Sequence, residues 1–263
     1  MKAIKLGLRY CDFYSGPAAM SDENEVVRRL LEAEIRLDRA ALVLVDVWDC
    51  HYLTGPEKRA EEIVRERLAP LAEACREAGV TVVHAPAREA AVKYEKWLVY
   101  AGDDELFGDE SCQIDEAWPP KDFRLRQEEH AGLAKPYASG PLLETINRND
   151  RERRILADIE PKDGDFVVAS GAQLHRLCRH LGLLHLFYAG FNTNMCVLYR
   201  DYGLRAMARR GYNCVLVRDC TTGIEASETV EGLRLTEAAI WDVEMLHGFS
   251  VTSEEIVGAL GAV

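Results

Sequence analysis

The chain is short of the usual marks of several protein classes. Its eight cysteines are Cys11, Cys50, Cys75, Cys112, Cys178, Cys196, Cys214 and Cys220, and no two form a Cys-x-x-Cys pair. That spacing argues against a zinc knuckle, and no metal or cofactor is expected. No apolar stretch approaches the roughly 20 residues of a membrane span. The opening Met1-Lys2-Ala3-Ile4-Lys5-Leu6 lacks the long apolar core of a signal peptide. The expectation is a cytoplasmic protein with reduced thiols and no membrane partner. Positive charge is outweighed: 32 Lys and Arg face 44 Asp and Glu, a formal net charge of -12. Such a balance disfavours nucleic-acid partners. Blocks of like charge, internal repeats and low-complexity tracts are also missing.

What remains is an ordinary globular composition over 263 residues, enough for one large α/β domain or two small ones. Short apolar runs alternate with amphipathic helical patterns. Ala41 to Val45 is continuously apolar and ends at Asp46, as suits a parallel strand buried on both faces. Pro56 to Ala78 reads as a helix closed by Gly79, with Pro70 expected to kink or divide it. Further strands are expected at Val80–Ala85, Asp165–Ala169, Leu184–Ala189, Cys214–Val217 and Phe249–Val251. Helices are expected around Leu174–Leu181, Val197–Arg210 and Glu231–Leu246. Thr252-x-x-Glu255 is a capping box for a last helix. Alternation of this kind predicts a three-layer α/β/α architecture around a mostly parallel, six-stranded Rossmann-like sheet. Two parts fall outside the rhythm. Residues 1–36 read as an N-terminal arm with a helix near Glu23–Ile35. Residues 87–150, with Trp97, Trp118 and Pro119-Pro120, read as an inserted lid or interface segment.

In an open α/β sheet, ligands bind beyond the carboxyl ends of the strands. Asp46 closes the first parallel strand. Cys196 follows the strand Leu184–Ala189, in Gly190-Phe191-Asn192-Thr193-Asn194-Met195-Cys196-Val197. A cysteine in a helix's first turn meets unpaired N–H groups and a partial positive charge, which favour thiolate over thiol and can hold an oxyanion. A carboxylate nearby can take the thiol proton and return it to a leaving group. The plainer readings are a buried small hydrophobe for Cys196 and a loop or cap residue for Asp46.

Leu42-Val43-Leu44-Val45-Asp46-Val47-Trp48-Asp49, the Cys196 loop and Asn213-Cys214-Val215-Leu216-Val217-Arg218-Asp219-Cys220 together resemble the isochorismatase-like cysteine hydrolases, over roughly residues 38–86 and 158–260. That superfamily includes nicotinamidases, N-carbamoylsarcosine amidohydrolases, ureidoacrylate and biuret hydrolases, and isochorismatases. The resemblance implies a single domain over 1–263 and an Asp-Lys-Cys triad. It also implies a non-proline cis peptide before the nucleophile, by position Phe191–Asn192. The chain departs from the pattern at the lysine. Ser170 stands about where it belongs, and Lys135, in Lys135-Pro136-Tyr137-Ala138-Ser139, is a displaced candidate.

The expected activity is cleavage of an amide or ureido C–N bond of a small molecule. Cys196 would be the nucleophile, Asp46 the general base and acid, and Lys135 the cation. Phe191, Asn192 and Cys196 would form the oxyanion loop, and Trp48, His51, Ser170 and Asn192 the substrate contacts. His51 and His84 flank the same strand ends as Asp49, but their spacing does not match a metal cluster. A homo-oligomer, dimer or tetramer, is expected. The contrasting expectations are a catalytically silent homologue that binds a small ligand, and an oligomeric scaffold.

Overall fold

The computed structural model describes residues 2–12, 22–95 and 118–263. Met1, Trp97 and Cys112, with part of the segment read as an insertion, lie outside the described residues. The strands are β1 (Ala3–Asp12), β2 (Val27–Arg36), β3 (Ala40–Val45), β4 (Thr81–Ala85), β5 (Phe166–Val167), β6 (His185–Phe191), β7 (Asn213–Thr222) and β8 (Phe249–Val251). They form one sheet in the order β2-β1-β8-β7-β6-β3-β4-β5. All pairings from β8 across to β5 are parallel. β1 pairs antiparallel with both β2 and β8. The helices are α1 (Thr54–Ile63), α2 (Ala69–Ala78), α3 (Arg88–Ala91), α4 (Lys121–Arg124), α5 (Gly140–Glu152), α6 (Gly171–Leu181), α7 (Leu204–Arg209), α8 (Arg234–Asp242) and α9 (Ser253–Leu260).

The three-layer reading follows from β3. Every residue of Ala40–Val45 is buried. Leu42 and Leu44 face one apolar cluster, with Val64, Leu68, Leu71 and Ile256. Ala41, Val43 and Val45 face the other, with Leu174, Leu177, Leu204 and Met207. A strand covered on both faces needs no polar alternation, so its sequence is a continuous apolar run.

Two expectations are corrected. The sheet has eight strands rather than six, because the N-terminal segment is a hairpin of two strands and not an arm carrying a helix at Glu23–Ile35. Val27, Leu30, Leu31 and Ile35 have helical spacing. However, Ile4, Leu6 and Leu8 on β1 are buried in strict alternation and supply a partner ladder. Tertiary pairing overrides the local period. Glu244, whose side chain is fully buried, pins the hairpin. It accepts from Arg9 Nε and Arg28 Nε, both at 2.7 Å, and from Ser250 Oγ at 2.5 Å.

The division expected at Pro70 is found, and the second correction concerns the 197–210 helix. The expected 56–78 helix is α1 and α2 joined by a π-helical turn, Val64–Leu68, just before Pro70. Proline has no N–H to continue the ladder, and the wider turn absorbs the break. The expected 197–210 helix is likewise interrupted, by a turn at Arg200–Gly203. A Cβ on Gly203 would lie 2.9 Å from the carbonyls of Leu198 and Arg200, so the chain can turn this tightly only at glycine.

Candidate active site

β3 and β6 are neighbours at the centre of the sheet, so their carboxyl ends deliver Asp46 and the Cys196 loop side by side. Asp46 is buried, with φ of 45°, the left-handed region that aspartate tolerates better than most residues. Its N–H donates to the Ala85 carbonyl at 3.1 Å, and its own carbonyl accepts from Trp48 N at 3.0 Å. The strand therefore turns away sharply and leaves the carboxylate behind.

The Cys196 loop is held on three sides. Gly190 has φ of 116°, and a Cβ there would stand 2.0 Å from the Val45 carbonyl oxygen. This glycine lets the ends of β3 and β6 touch. The Phe191–Asn192 peptide is cis. Thr221 Oγ1 donates to the Gly190 carbonyl at 2.7 Å and lies 2.6 Å from Thr193 Oγ1. Asn194 bridges both backbone groups of Ile224, donating at 2.9 Å and accepting at 3.0 Å. Cys196 then sits in a π-helical turn, Thr193–Val197, whose Met195 and Val197 N–H groups both donate to the Asn192 carbonyl.

The cation at this site is Arg200. Its Nε and Nη2 reach Asp46 Oδ2 at 3.2 and 3.1 Å. Its backbone N–H donates to the Cys196 carbonyl at 3.2 Å, so it rises one turn above the cysteine. Asp46 Oδ1 is buried with no hydrogen-bond partner among the described residues. Burial pushes the Cys196 thiol up to about 12; the Asp46 charge adds to this, and Arg200 works against it. Burial and the Asp46 charge therefore oppose the thiolate that the helix terminus was expected to favour. The i, i+4 spacing of Cys196-x-x-x-Arg200 sets the two side chains on one helical face, but nothing local in the sequence pairs Arg200 with Asp46.

The other expected residues are dispersed. Lys135 is exposed, in the chain just before α5, and has no contact with Asp46 among the described residues. Ser170 is the N-cap of α6 and accepts from Gln173 N at 3.2 Å. Ser170 nonetheless lies near the cation. The adjacent Gly171 N–H donates to Asp201 Oδ2 at 2.7 Å, and Asp201 follows Arg200 in the chain. Trp48 is buried, its ring 5.6 Å from Phe191 and 4.7 Å from His51. His51 Nδ1 accepts from Leu53 N at 2.9 Å, and burial lowers its pKa. His84 lies within β4 and bonds Asp165 at 3.1 Å, while Arg76 grips the same carboxylate through two nitrogens. That buried network is structural. Among the described residues no group of three His, Cys, Asp or Glu is placed to hold a metal. A separate cleft of about 430 Å³ opens beside α1 and α8. Its arginines are already engaged: Arg59 with Thr222 and Gly223, Arg67 with the Asp219 carbonyl.

The Isochorismatase domain model matches residues 40–244. The chain belongs to the isochorismatase family. The match covers β3 to β7 and the Asp46–Cys196 site, and leaves the β1–β2 hairpin, β8 and α9 outside. Among solved structures, the chain is similar to a cysteine hydrolase from Pseudomonas syringae pv. phaseolicola 1448A. The two are 16% identical, the match covers 87% of this chain and 95% of that one, and the TM-score is 0.55. An isochorismatase from Pseudomonas putida KT2440 also matches: 19% identical, 83% of this chain, 90% of that one, TM-score 0.48. At 16% identity the first of these likenesses shows the fold alone. No curated protein matches the sequence. Family membership supports hydrolase chemistry in the broad sense, and no helix among the described residues is long and apolar enough to cross a membrane.

Proposed function

We propose that this isochorismatase-family protein hydrolyses an amide or ureido C–N bond of a small molecule through a covalent Cys196 intermediate, with Arg200 in the role that the family gives to lysine. The observation that carries the reading is the Asp46–Arg200 ion pair set beside the cysteine at the carboxyl end of the sheet. Arg200 holds the Asp46 carboxylate in place next to the thiol through two contacts to Oδ2, while Oδ1 stays open to receive a proton.

Asp46 accepts the thiol proton as Cys196 Sγ attacks the substrate carbonyl carbon. A thiol that rests protonated suits this order, because the base acts during attack rather than before it. The backbone N–H groups of Cys196 and Asn192 are the donors assigned to the oxyanion. As the C–N bond breaks, Asp46 returns the proton to the departing nitrogen, and ammonia or an amine leaves. Water then attacks the thioester, gives its proton to Asp46, and releases the acid with regeneration of the thiol. Arg200 takes no part in proton transfer, because guanidinium stays charged at any working pH. Trp48 and His51 stand on the Phe191 side, where they wall the substrate.

Incubation with a panel of small amides and ureido compounds should release ammonia or amine and add one acyl group to the Cys196 peptide, seen by mass spectrometry after acid quench. Cys196→Ala should abolish both. Turnover that survives in Cys196→Ala would overturn the mechanism. A native thiol that acylates with none of the panel would favour a silent, ligand-binding homologue.

A further inference from the structure

The two edges of the sheet are built differently. The β5 edge is two residues long. Short edge strands are one way in which proteins avoid unwanted strand pairing. The opposite edge, β2, is ten residues long and pairs with β1 without a bulge from Asp12↔Val27 to Ala3↔Arg36. It contains neither proline nor lysine. Leu30 and Leu31 at its centre are 63% and 46% exposed. About half of the backbone groups of such a strand face outward, roughly five N–H and five C=O. Proteins usually block an edge of this length.

The order of residues on β2 says what fits there. Val27-Arg28-Arg29 is a basic end, Leu30-Leu31 an apolar centre, and Glu32-Ala33-Glu34 an acidic end. Glu32 and Glu34 are exposed and have no ion-pair partner among the described residues. A second β2 laid antiparallel sets its basic end against this acidic end. A two-fold axis perpendicular to the sheet keeps each face on its own side, so opposed residues have the same parity. With the axis at Leu31, Arg28 opposes Glu34. With the axis at Leu30, Arg28 opposes Glu32. Parallel addition would place like charges together, which disfavours it. The arginines are already set in place, Arg29 by Asp12 at 2.6 Å and Arg28 by Glu244 at 2.7 Å.

We propose that β2 is a self-pairing edge: two copies of this chain join antiparallel through β2 into one continuous sheet with an isologous interface. The hairpin that lies outside the family domain is then an assembly element, and the Glu244 clamp transmits its position to the body of the fold.

Sedimentation velocity on the full chain at micromolar concentration tests this. The expected mass is twice 29.5 kDa. Glu32→Arg with Glu34→Arg should halve it with an unchanged circular dichroism spectrum. Leu30→Cys and Leu31→Cys test geometry independently, because a residue at the axis faces its own copy at about 4.5–5.5 Å between Cβ atoms. One of the two should give a disulfide-linked dimer on a non-reducing gel, and Val27→Cys should cross-link no more than the parent. A monomeric parent, as when this chain or another protein covers the edge, overturns the proposal. So does a dimer that survives the double charge reversal, or failure of both central cysteines to cross-link. If the charge-reversed chain does not fold, the cysteine pair decides alone.

Discussion

Replacing Asp46 by asparagine should abolish hydrolysis yet make Cys196 easier to alkylate. The thiol is raised to about 12 by burial and then by the Asp46 charge, while Arg200 lowers it. At pH 8 that leaves about one molecule in 10,000 as thiolate. The asparagine side chain keeps the shape and an acceptor for Arg200 but removes the negative charge, leaving the guanidinium unopposed. A charge at such range shifts a pKa by roughly 1–3 units. Intrinsic nucleophilicity falls as the pKa falls, which returns a little under half of that gain. The expected net rise in alkylation rate at pH 8 is therefore roughly 3- to 40-fold, given those two figures. The assay is iodoacetamide labelling from pH 6 to 11, with the Cys196 peptide quantified by mass spectrometry. Arg200→Met should move the rate the other way. An Asp46→Asn protein with native circular dichroism that labels no faster than the parent would refute the placement of the charge beside the thiol.

Four further outcomes follow from the geometry. Cys75, Cys178 and Cys214 are pushed by burial from 9.0 to about 12. Between those values the unfolded chain loses protons that the folded one retains, so stability falls as pH rises, by up to about 1.4 kcal/mol per pH unit for each thiol; urea midpoints that stay flat from pH 8 to 10.5 would contradict this. Burial alone would raise the Asp165 carboxyl, but bonds from His84, Arg76 and Lys162 N–H hold it well below the usual range. Asp165→Asn should destabilise the protein by about 3–5 kcal/mol in urea unfolding at pH 7 while leaving Cys196 alkylation unchanged. Gly190→Ala forces a Cβ into the Val45 carbonyl at 2.0 Å and should eliminate activity and lower Tm sharply; a near-native Tm would show that β3 and β6 do not meet there. Lys135→Met should alkylate like the parent at every pH, because Lys135 is exposed and makes no contact with Asp46 among the described residues.

Much of the parallel sheet could be read from the chain, because its determinants are local. β3 is apolar at every position because both faces are covered. Gly79 and Gly182 end helices at φ of 83° and 71°, which side chains resist. Thr252 and Glu255 cap α9 as their spacing requires. Asp46 and Cys196 could be found because strand ends in an alternating β/α chain converge on one edge. Three matters were settled only by tertiary contacts. Val27–Arg36 has a period that suits a helix, and the buried face of β1, distant in sequence, makes it a strand. The cation was sought after β5 and in the insertion, but the turn at Arg200–Gly203 folds Arg200 back onto Asp46, 154 residues away. The protonation of Cys196 depends on how deeply it is buried and on which charges surround it, and neither is a property of the residues beside it in the chain.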